Sequence, residues 1–368
     1  MVRFSRLKTG TDGDAGPPKP HAVSPVRKKE RFRLREATEA GATGAVRTGP
    51  VSPPVSTSKM SPASSDEAPP EVRASQRKAL YAAAFSYTAS GLKSIRRQRP
   101  FSLEKAFKIV GKMAAAQPDG ASDPLFLMAL HQDDPANYHL YNPVNVAVFS
   151  IQLARQLQWE AEEVVKVGVA ALLHDVGMGL IPEELIHKEG PLSPREAEAM
   201  RKRPLHGHRI LKESFGKNNE WLAETVLQVH ERIDGSGYPN GLKGDAIHRY
   251  AQVVGLMDFY DALIHSRPQG QRFSFLSAAK EILRSGKDGY SKLYLRALIR
   301  LFTAFPLRSR VRLNTHAVGR VIATYPDNPL RPKIEILFDA QGRKPKEREI
   351  IDLPAHPLIH VTESLTHD

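Results

Sequence analysis

The chain has 368 residues, 41% of them hydrophobic, and a formal net charge of +13. That length allows one large domain plus a small one, with a sizeable core. It contains no cysteine, which excludes disulfides and thiolate metal sites and leaves His, Asp and Glu as metal ligands. The lack of thiols fits a reducing cytoplasm, and the basic balance favours anionic partners.

Residues 1–72 are rich in Pro, Ser, Ala, Gly and charge, and poor in large apolar side chains. Too little apolar surface is available there to offset chain entropy, so a disordered basic tail is expected. Its cluster Arg27-Lys28-Lys29-Glu30-Arg31-Phe32-Arg33-Leu34-Arg35 reads as a solvated stretch, or else as a contact to nucleic acid or membrane. Met1-Val2-Arg3-Phe4-Ser5-Arg6 has no apolar stretch behind it, so no secretory signal is expected. No apolar run approaches the roughly 18 residues of a membrane span.

From Arg73 to Arg97 the pattern is helical, with Leu80, Ala83, Ala84 and Tyr87 on one side. Ser102 is expected to cap a second helix carrying Ala106, Phe107, Ile109, Val110 and Met113, which stops before Pro118-Asp119-Gly120. These are the N-terminal helices, over 73–120. A larger helical domain over 121–303 is expected to hold helices at 123–132, 143–157, 160–174, 194–215, 219–231, 247–265, 275–285 and 291–303. Pro143 suits a first helical turn. Ser193-Pro194-Arg195-Glu196 combines an N-cap, a proline at N1 and a glutamate at N3. After Phe305-Pro306 the pattern turns to strands at 311–313, 318–323, 333–338 and 349–351. A small β domain, an open barrel, is expected over 304–362, with turns at Tyr325-Pro326-Asp327-Asn328-Pro329 and Asp339-Ala340-Gln341-Gly342.

Two segments carry chemistry. Phosphodiester hydrolysis at neutral pH needs a hydroxide and positive charge against the phosphoryl oxygens, which metals held by histidines and carboxylates supply. His174-Asp175 sets an imidazole and a carboxylate at one helix end, and Asp258 offers another oxygen from a later helix. Alone, the dipeptide is a weak signal, and an ordinary helix-surface pair is its usual explanation. Some fifty residues on stands His230-Glu231-Arg232-Ile233-Asp234-Gly235-Ser236-Gly237-Tyr238-Pro239. Its glycines permit tight or positive-φ backbone, and alone it reads first as an ordinary helix-to-helix turn.

Taken with Gly177, Ile181-Pro182, Lys188 and Gly241-Leu242-Lys243-Gly244, the two segments resemble the HD-GYP family, bacterial metal-dependent phosphodiesterases that hydrolyse cyclic di-GMP. The resemblance covers about residues 75–305 and extends into the β tail through Pro329-Leu330-Arg331-Pro332. It implies a mainly-α fold, an HD-superfamily helical bundle with a small C-terminal β domain. It implies His174, Asp175, His230 and Asp258 as ligands of a divalent metal (Fe or Mn, if any is held), with His174 and Asp175 also catalytic. Gly237, Tyr238, Pro239 and Arg267 are then substrate contacts, and a guanidinium at 267 makes sense as a bidentate phosphate clamp. The partners implied are cyclic di-GMP or a related nucleotide and diguanylate-cyclase-type signalling proteins, in the cytoplasm.

The sequence also departs from that family. Asn142 stands where a histidine is expected before the Pro143-Val144-Asn145-Val146 segment, with His139 three residues earlier. Met178 replaces a lysine, Arg203 a histidine, and Val229 the first of a histidine pair; His206 and His208 lie near Arg203. Gly270 stands where a further basic contact is expected, close to Arg272. An arginine can take over part of a metal's electrostatic role and bind phosphate itself. Three readings follow: a degenerate module that binds a nucleotide or a partner protein, an active phosphodiesterase with a reduced metal site, and a basic nucleic-acid-associated protein. Nucleic acid is not the partner expected first.

Overall fold

The computed structural model describes residues 70–116, 124–132, 134–268, 272–286, 288–301, 305–325, 328 and 330–365. The expected tail lies almost wholly outside them, as do Pro118-Asp119-Gly120, Gly270, Pro329 and part of the 325–329 turn.

The helices follow the apolar periodicity. Helix α1 (Pro70–Arg96) is followed by α2 (Leu103–Ala115), whose N-cap Ser102 accepts a hydrogen bond from the Lys105 amide. Next come α3 (Pro124–His131), α4 (Tyr138–Gln156) and α5 (Ala161–Leu173). After a 3-10 turn over Val176–Leu180, α6 (Glu183–Ile186) and α7 (Pro194–Arg201) lead to α8 (Arg203–Phe215). Helices α9 (Glu220–Gln228), α10 (Arg249–Ile264), α11 (Phe275–Ser285) and α12 (Lys292–Leu301) complete the block.

Two expectations are corrected. Helix α4 starts at Tyr138, so Pro143 lies inside it rather than in its first turn. The Asp134 carboxylate accepts from the Asn137 amide and starts a 3-10 turn, Pro135–Asn137, which runs into the helix. The single helix expected over 194–215 is two, α7 and α8. Pro204 has no N–H to return to the preceding turn and disfavours a helical residue before it. The Ser193 capping box holds as expected: Ser193 Oγ accepts the Glu196 amide and Glu196 returns a bond to the Ser193 amide.

Helix α4 is the hub. Every residue from Asn142 to Ala154 is buried, the polar Asn142, Asn145, Ser150 and Gln152 included, so this stretch is enclosed on all sides. It packs on α5 and α10, and Phe149 meets Phe126 and Tyr260 edge-on. A separate apolar cluster forms from Leu92, Met178, Ile181, Leu185 and Ile186.

The β domain is one antiparallel sheet of strands β1 (Arg310–Leu313), β2 (Val318–Ala323), β3 (Lys333–Phe338), β4 (Ile350–Asp352) and β5 (Val361–Leu365). The order is β4-β3-β2-β1-β5. The five strands form one sheet with two edges, and β5 is a strand the sequence reading lacked. Its inner face buries Val311, Leu313, Val321, Ile334 and Ile336 against Phe305 and Leu353.

Candidate functional site

The pocket forms where the ends of α5, α8 and α9 meet the middle of α10. His174 caps α5, and its Nδ1 donates to Ala171 O at 2.7 Å. That bond turns Nε2 inward, 3.5 Å from Asp258 Oδ1 and 3.9 Å from Asp175 Oδ2. Nε2 is buried and makes no aligned hydrogen bond. Burial opposes a charge on this ring, but Asp175 and Asp258 outweigh it and raise the His174 pKa to about 9.

Arg203 comes from the first turn of α8. Its Nε donates to His230 Nε2 at 3.1 Å and lies 3.0 Å from Asp175 Oδ1. The His230 ring therefore accepts through Nε2, which leaves its proton on Nδ1, 3.8 Å from Asp258 Oδ2. Burial, then Arg203, drives the His230 pKa well below its ordinary value. Asp258 is held below the usual carboxylate range against the cost of burial, by His174 first and also by Arg203.

Gly177 makes this seat possible. A Cβ there would lie 2.0 Å from Arg203 O and 2.8 Å from Gly207 N. Only a glycine lets the turn after Asp175 press against the start of α8 and bring the Arg203 side chain to the carboxylate.

Beneath Asp258 lies a polar layer. Asn142 Nδ2 reaches Tyr138 Oη at 3.0 Å, Asp258 Oδ1 at 3.1 Å and Asp261 Oδ2 at 2.8 Å. Asn145 Nδ2 donates to the other Asp261 oxygen at 3.0 Å, and Tyr81 Oη donates to Asn145 Oδ1. Tyr138, Asn145 and Asp261 were not singled out from the sequence. The i, i+3 spacing of Asp258 and Asp261 and of Asn142 and Asn145, two polar pairs inside apolar helices, was the available signal.

The loop after α9 is built by its own motif. Tyr238 stacks on His230, with centroids 5.0 Å apart and planes at 13°, and the Arg201 guanidinium lies 5.6 Å from the Tyr238 ring. Buried Glu231 accepts the Asn240 amide at 2.7 Å and the Leu242 amide at 3.0 Å. Arg232 Nη1 donates to Glu231 O at 2.8 Å and its guanidinium covers Tyr290 at 4.6 Å. A Cβ on Gly237 would fall 2.4 Å from the Arg232 amide and Glu231 Cα, so the loop folds back on its own start. The Tyr238-Pro239 peptide is cis.

Residues 128–291 match the model of an HD domain, and residues 310–368 match that of a KOW domain associated with HD domains. A cyclic di-GMP phosphodiesterase of Pseudomonas aeruginosa is 29% identical over 229 residues, covering 62% of this chain and 54% of the relative. The cyclic di-GMP phosphodiesterase response regulator RpfG of Xanthomonas campestris is 38% identical over 126 residues, covering 34% and 33%. A solved HDG"Y"P protein of Bdellovibrio bacteriovorus superposes with a TM-score of 0.50 at 18% identity, covering 65% of this chain and 73% of that one. Residues 128–291 are an HD domain, and the chain is similar to relatives named cyclic di-GMP phosphodiesterases, which supports the HD-GYP resemblance. It spans about half the length, or less, of the curated relatives it matches.

Four departures from the HD-GYP pattern, Asn142, Met178, Arg203 and Val229, each have a place in the structure, while Gly270 lies outside the described residues. Asn142 gives the two carboxylates of α10 an amide. Met178 is buried among Leu92, Ile181, Leu185 and Ile186, and Val229 lies in the main core. Arg203 sits between Asp175 and His230. The nearby histidines stay outside the pocket. His139 meets His187 edge-on at 5.0 Å, His208 bonds Glu224 at 3.0 Å, and His206 is flanked by Lys202 and Arg209.

His174, Asp175, Arg203, His230, Tyr238 and Asp258 are thus brought together. Arg267 stands within electrostatic reach of Tyr138, its buried Nε without a hydrogen bond. A divalent metal here would draw on His174 Nε2, Asp175, His230 and Asp258. Arg203 already faces Asp175 Oδ1 and His230 Nε2 with a permanent positive charge. Among the described residues no three His, Asp or Glu side chains are grouped to hold a metal ion. With Arg203 so seated, the donors do not fit one. Among the described residues, no helix is long and apolar enough to cross a membrane.

Proposed function

We propose that this chain acts in cyclic di-GMP signalling as an HD-GYP-type module that binds a cyclic dinucleotide, or a signalling protein of the diguanylate-cyclase type, with weak or no turnover. The observation that carries the reading is the Arg203 guanidinium between Asp175 and His230. It puts a fixed cation where phosphate oxygens need one, and a phosphate would compete with Asp175 for it. Arg267, with its unpaired buried Nε, offers a second guanidinium. Tyr238 and the Gly237-Tyr238-Pro239 loop form the wall behind His230. The relatives named for cyclic di-GMP supply the ligand class, and others are named 3'3'-cGAMP-specific phosphodiesterases.

Calorimetry of the purified chain with cyclic di-GMP, run beside a hydrolysis assay with added iron or manganese, tests the reading. Binding without pGpG or GMP is expected. Absence of binding to both nucleotide and partner would sink it.

One observation favours the second reading, an active metal-dependent phosphodiesterase: His174 Nε2 is buried without a hydrogen bond beside two carboxylates. That reading requires Arg203 to leave its seat. Metal retained through purification in a fixed ratio, with turnover lost in Asp175→Asn, would favour it over ours.

A further inference from the structure

Helices α1 and α2 lie ahead of both matched domains, which begin at residues 128 and 310. The two helices pack on each other, and Tyr87 Oη of α1 donates to Ser102 O, before α2, at 2.9 Å. Tyr81, Ala84 and Tyr87 of α1 are buried, while Ala79, Ala82 and Ala83 on its other side are exposed. A helix with apolar residues on both sides has a second face to cover.

Between α1 and α2 runs a groove of about 850 Å3. Buried Ile109, half-buried Leu80 and the small Ala83 give it an apolar floor. Arg77 lines it from α1, and Lys105, Lys108 and Lys112 line it from α2, against one lining carboxylate, Glu104. The i, i+3, i+7 spacing sets the three lysines on one face of α2. All three are exposed, and among the described residues none has a carboxylate at ion-pair distance. Like charges at i, i+4, as at Lys108 and Lys112, destabilise a helix. Lys105 is the third residue of α2, and Ser102 Oγ accepts its amide at 3.1 Å. A glutamate there would return a bond to the Ser102 amide, as Glu196 does for Ser193. Helix stability therefore favours the opposite charge, and folding gives no reason for the lysine row.

We propose that this groove seats an acidic amphipathic helix of a partner protein. Its apolar floor suits side chains spaced i, i+3, i+4 and i+7 on a docked helix. The lysine row suits carboxylates along that helix's flank. From Ser102 to Ala116 the seat is about 20 Å long, enough for roughly four helical turns. A flat bilayer would meet the lysines but not Ile109 below them, and a nucleic-acid strand would leave the apolar floor unmatched. The chain's own residues 1–69 are basic on balance, which sets them against a cationic rim. This surface is separate from the Arg203 pocket and stands whether or not that pocket binds a nucleotide.

The test is fluorescence anisotropy of the full chain with a labelled synthetic helix of roughly four turns, leucines on one face and glutamates on its flanks. A scrambled peptide of the same composition is expected to bind at least ~10-fold more weakly. Lys105→Glu with Lys108→Glu should weaken the designed helix at least ~10-fold and gain affinity for the same helix with lysines in place of its glutamates. Both reversals lie near the N-terminus of α2, where carboxylates suit the cap and the helix dipole, so the fold is kept. Arg195→Glu with Arg209→Glu, an equal charge change on exposed positions of α7 and α8, should stay within about twofold if binding is local rather than a net-charge effect. Ala83→Trp fills the groove without changing charge and should also weaken the designed helix. No binding of the designed helix, equal binding of the scrambled peptide, or equal loss in both charge-reversed pairs would each overturn the proposal. So would loss of binding to anionic lipid vesicles in the Lys105 and Lys108 variant with peptide binding intact, which would assign the lysines to a membrane surface. Faster amide exchange within residues 1–69 of that variant would overturn it too, by assigning the groove to the chain's own N-terminal stretch.

Discussion

Arg203 Nε and His230 Nε2, 3.1 Å apart, share a hydrogen bond in which the imidazole is the acceptor. A histidine used that way is neutral and has its lone pair engaged, so the same nitrogen is not free for a cation. The pocket's state turns on this one contact.

Replacing Arg203 should therefore move two quantities in opposite directions. Arg203→Ala removes a charge-assisted contact worth about 1.5–3 kcal/mol, so affinity for cyclic di-GMP is expected to fall by roughly ten- to a hundredfold. Arg203→His with Asn142→His places imidazoles at both positions where the family resemblance implies them. Elemental analysis of that double variant should find a clear rise in bound iron or manganese. Unchanged nucleotide affinity in the first variant would remove Arg203 from the binding site.

Gly177→Ala tests the seat beneath Arg203. The added Cβ meets Arg203 O at 2.0 Å, a backbone atom that cannot swing away. Overpacking of this kind costs about 1–3 kcal/mol. A lower urea midpoint and weaker nucleotide binding are expected together; a stable variant with full affinity would show that α8 tolerates displacement.

Glu231 holds the loop rather than a ligand. Glu231→Ala leaves the Asn240 and Leu242 amides without acceptors, at about 1–3 kcal/mol for each that stays buried. Glu231→Gln retains one acceptor oxygen and should lose less. Amide hydrogen exchange at residues 240 and 242 reads the effect directly, and it should speed up in the order wild type, Gln, Ala.

Much of this was legible in the sequence, for identifiable reasons. The apolar periods of α2, α5 and α9 marked helices because each buries one face. The two motifs marked the pocket because their glycines answer to close backbone approaches, Gly177 to Arg203 and Gly237 to Arg232. What stayed hidden depended on distant partners. Asn142 looked like a lost ligand until Asp258 and Asp261 appeared beside it, 116 and 119 residues along the chain. Strand β5 was missed because Thr362 and Glu363 in succession are polar and exposed beside a break in register, so its alternation is weak and only its pairing with β1 defines it.

Stability should fall in mild acid through His139. Burial, then His187 and Arg96, lowers its pKa from 6.5 to about 4; Arg96 itself pairs with Glu183. The native ring is neutral where the unfolded chain already binds a proton. Its contribution is therefore complete above about pH 6.5, the free imidazole value, and is lost as pH falls toward 4. Urea midpoints across that window should drop in the wild type and drop less in His139→Gln. Identical slopes would exclude this group as a source.

The order of the sheet bears on how the protein is made. Strand β1 lies between β2, which follows at once, and β5, whose pairing joins Arg310 to Leu365 and Leu313 to Val361. On the ribosome, β1 must wait for the last described strand to emerge before its second side is covered. Contacts so far apart in the chain form slowly. The helical pocket can be complete in a nascent chain while the arginine-bearing strand still has an open edge, so a stop codon ahead of Val361 would strip the neighbour from Arg310 and leave His174 and Asp175 in place.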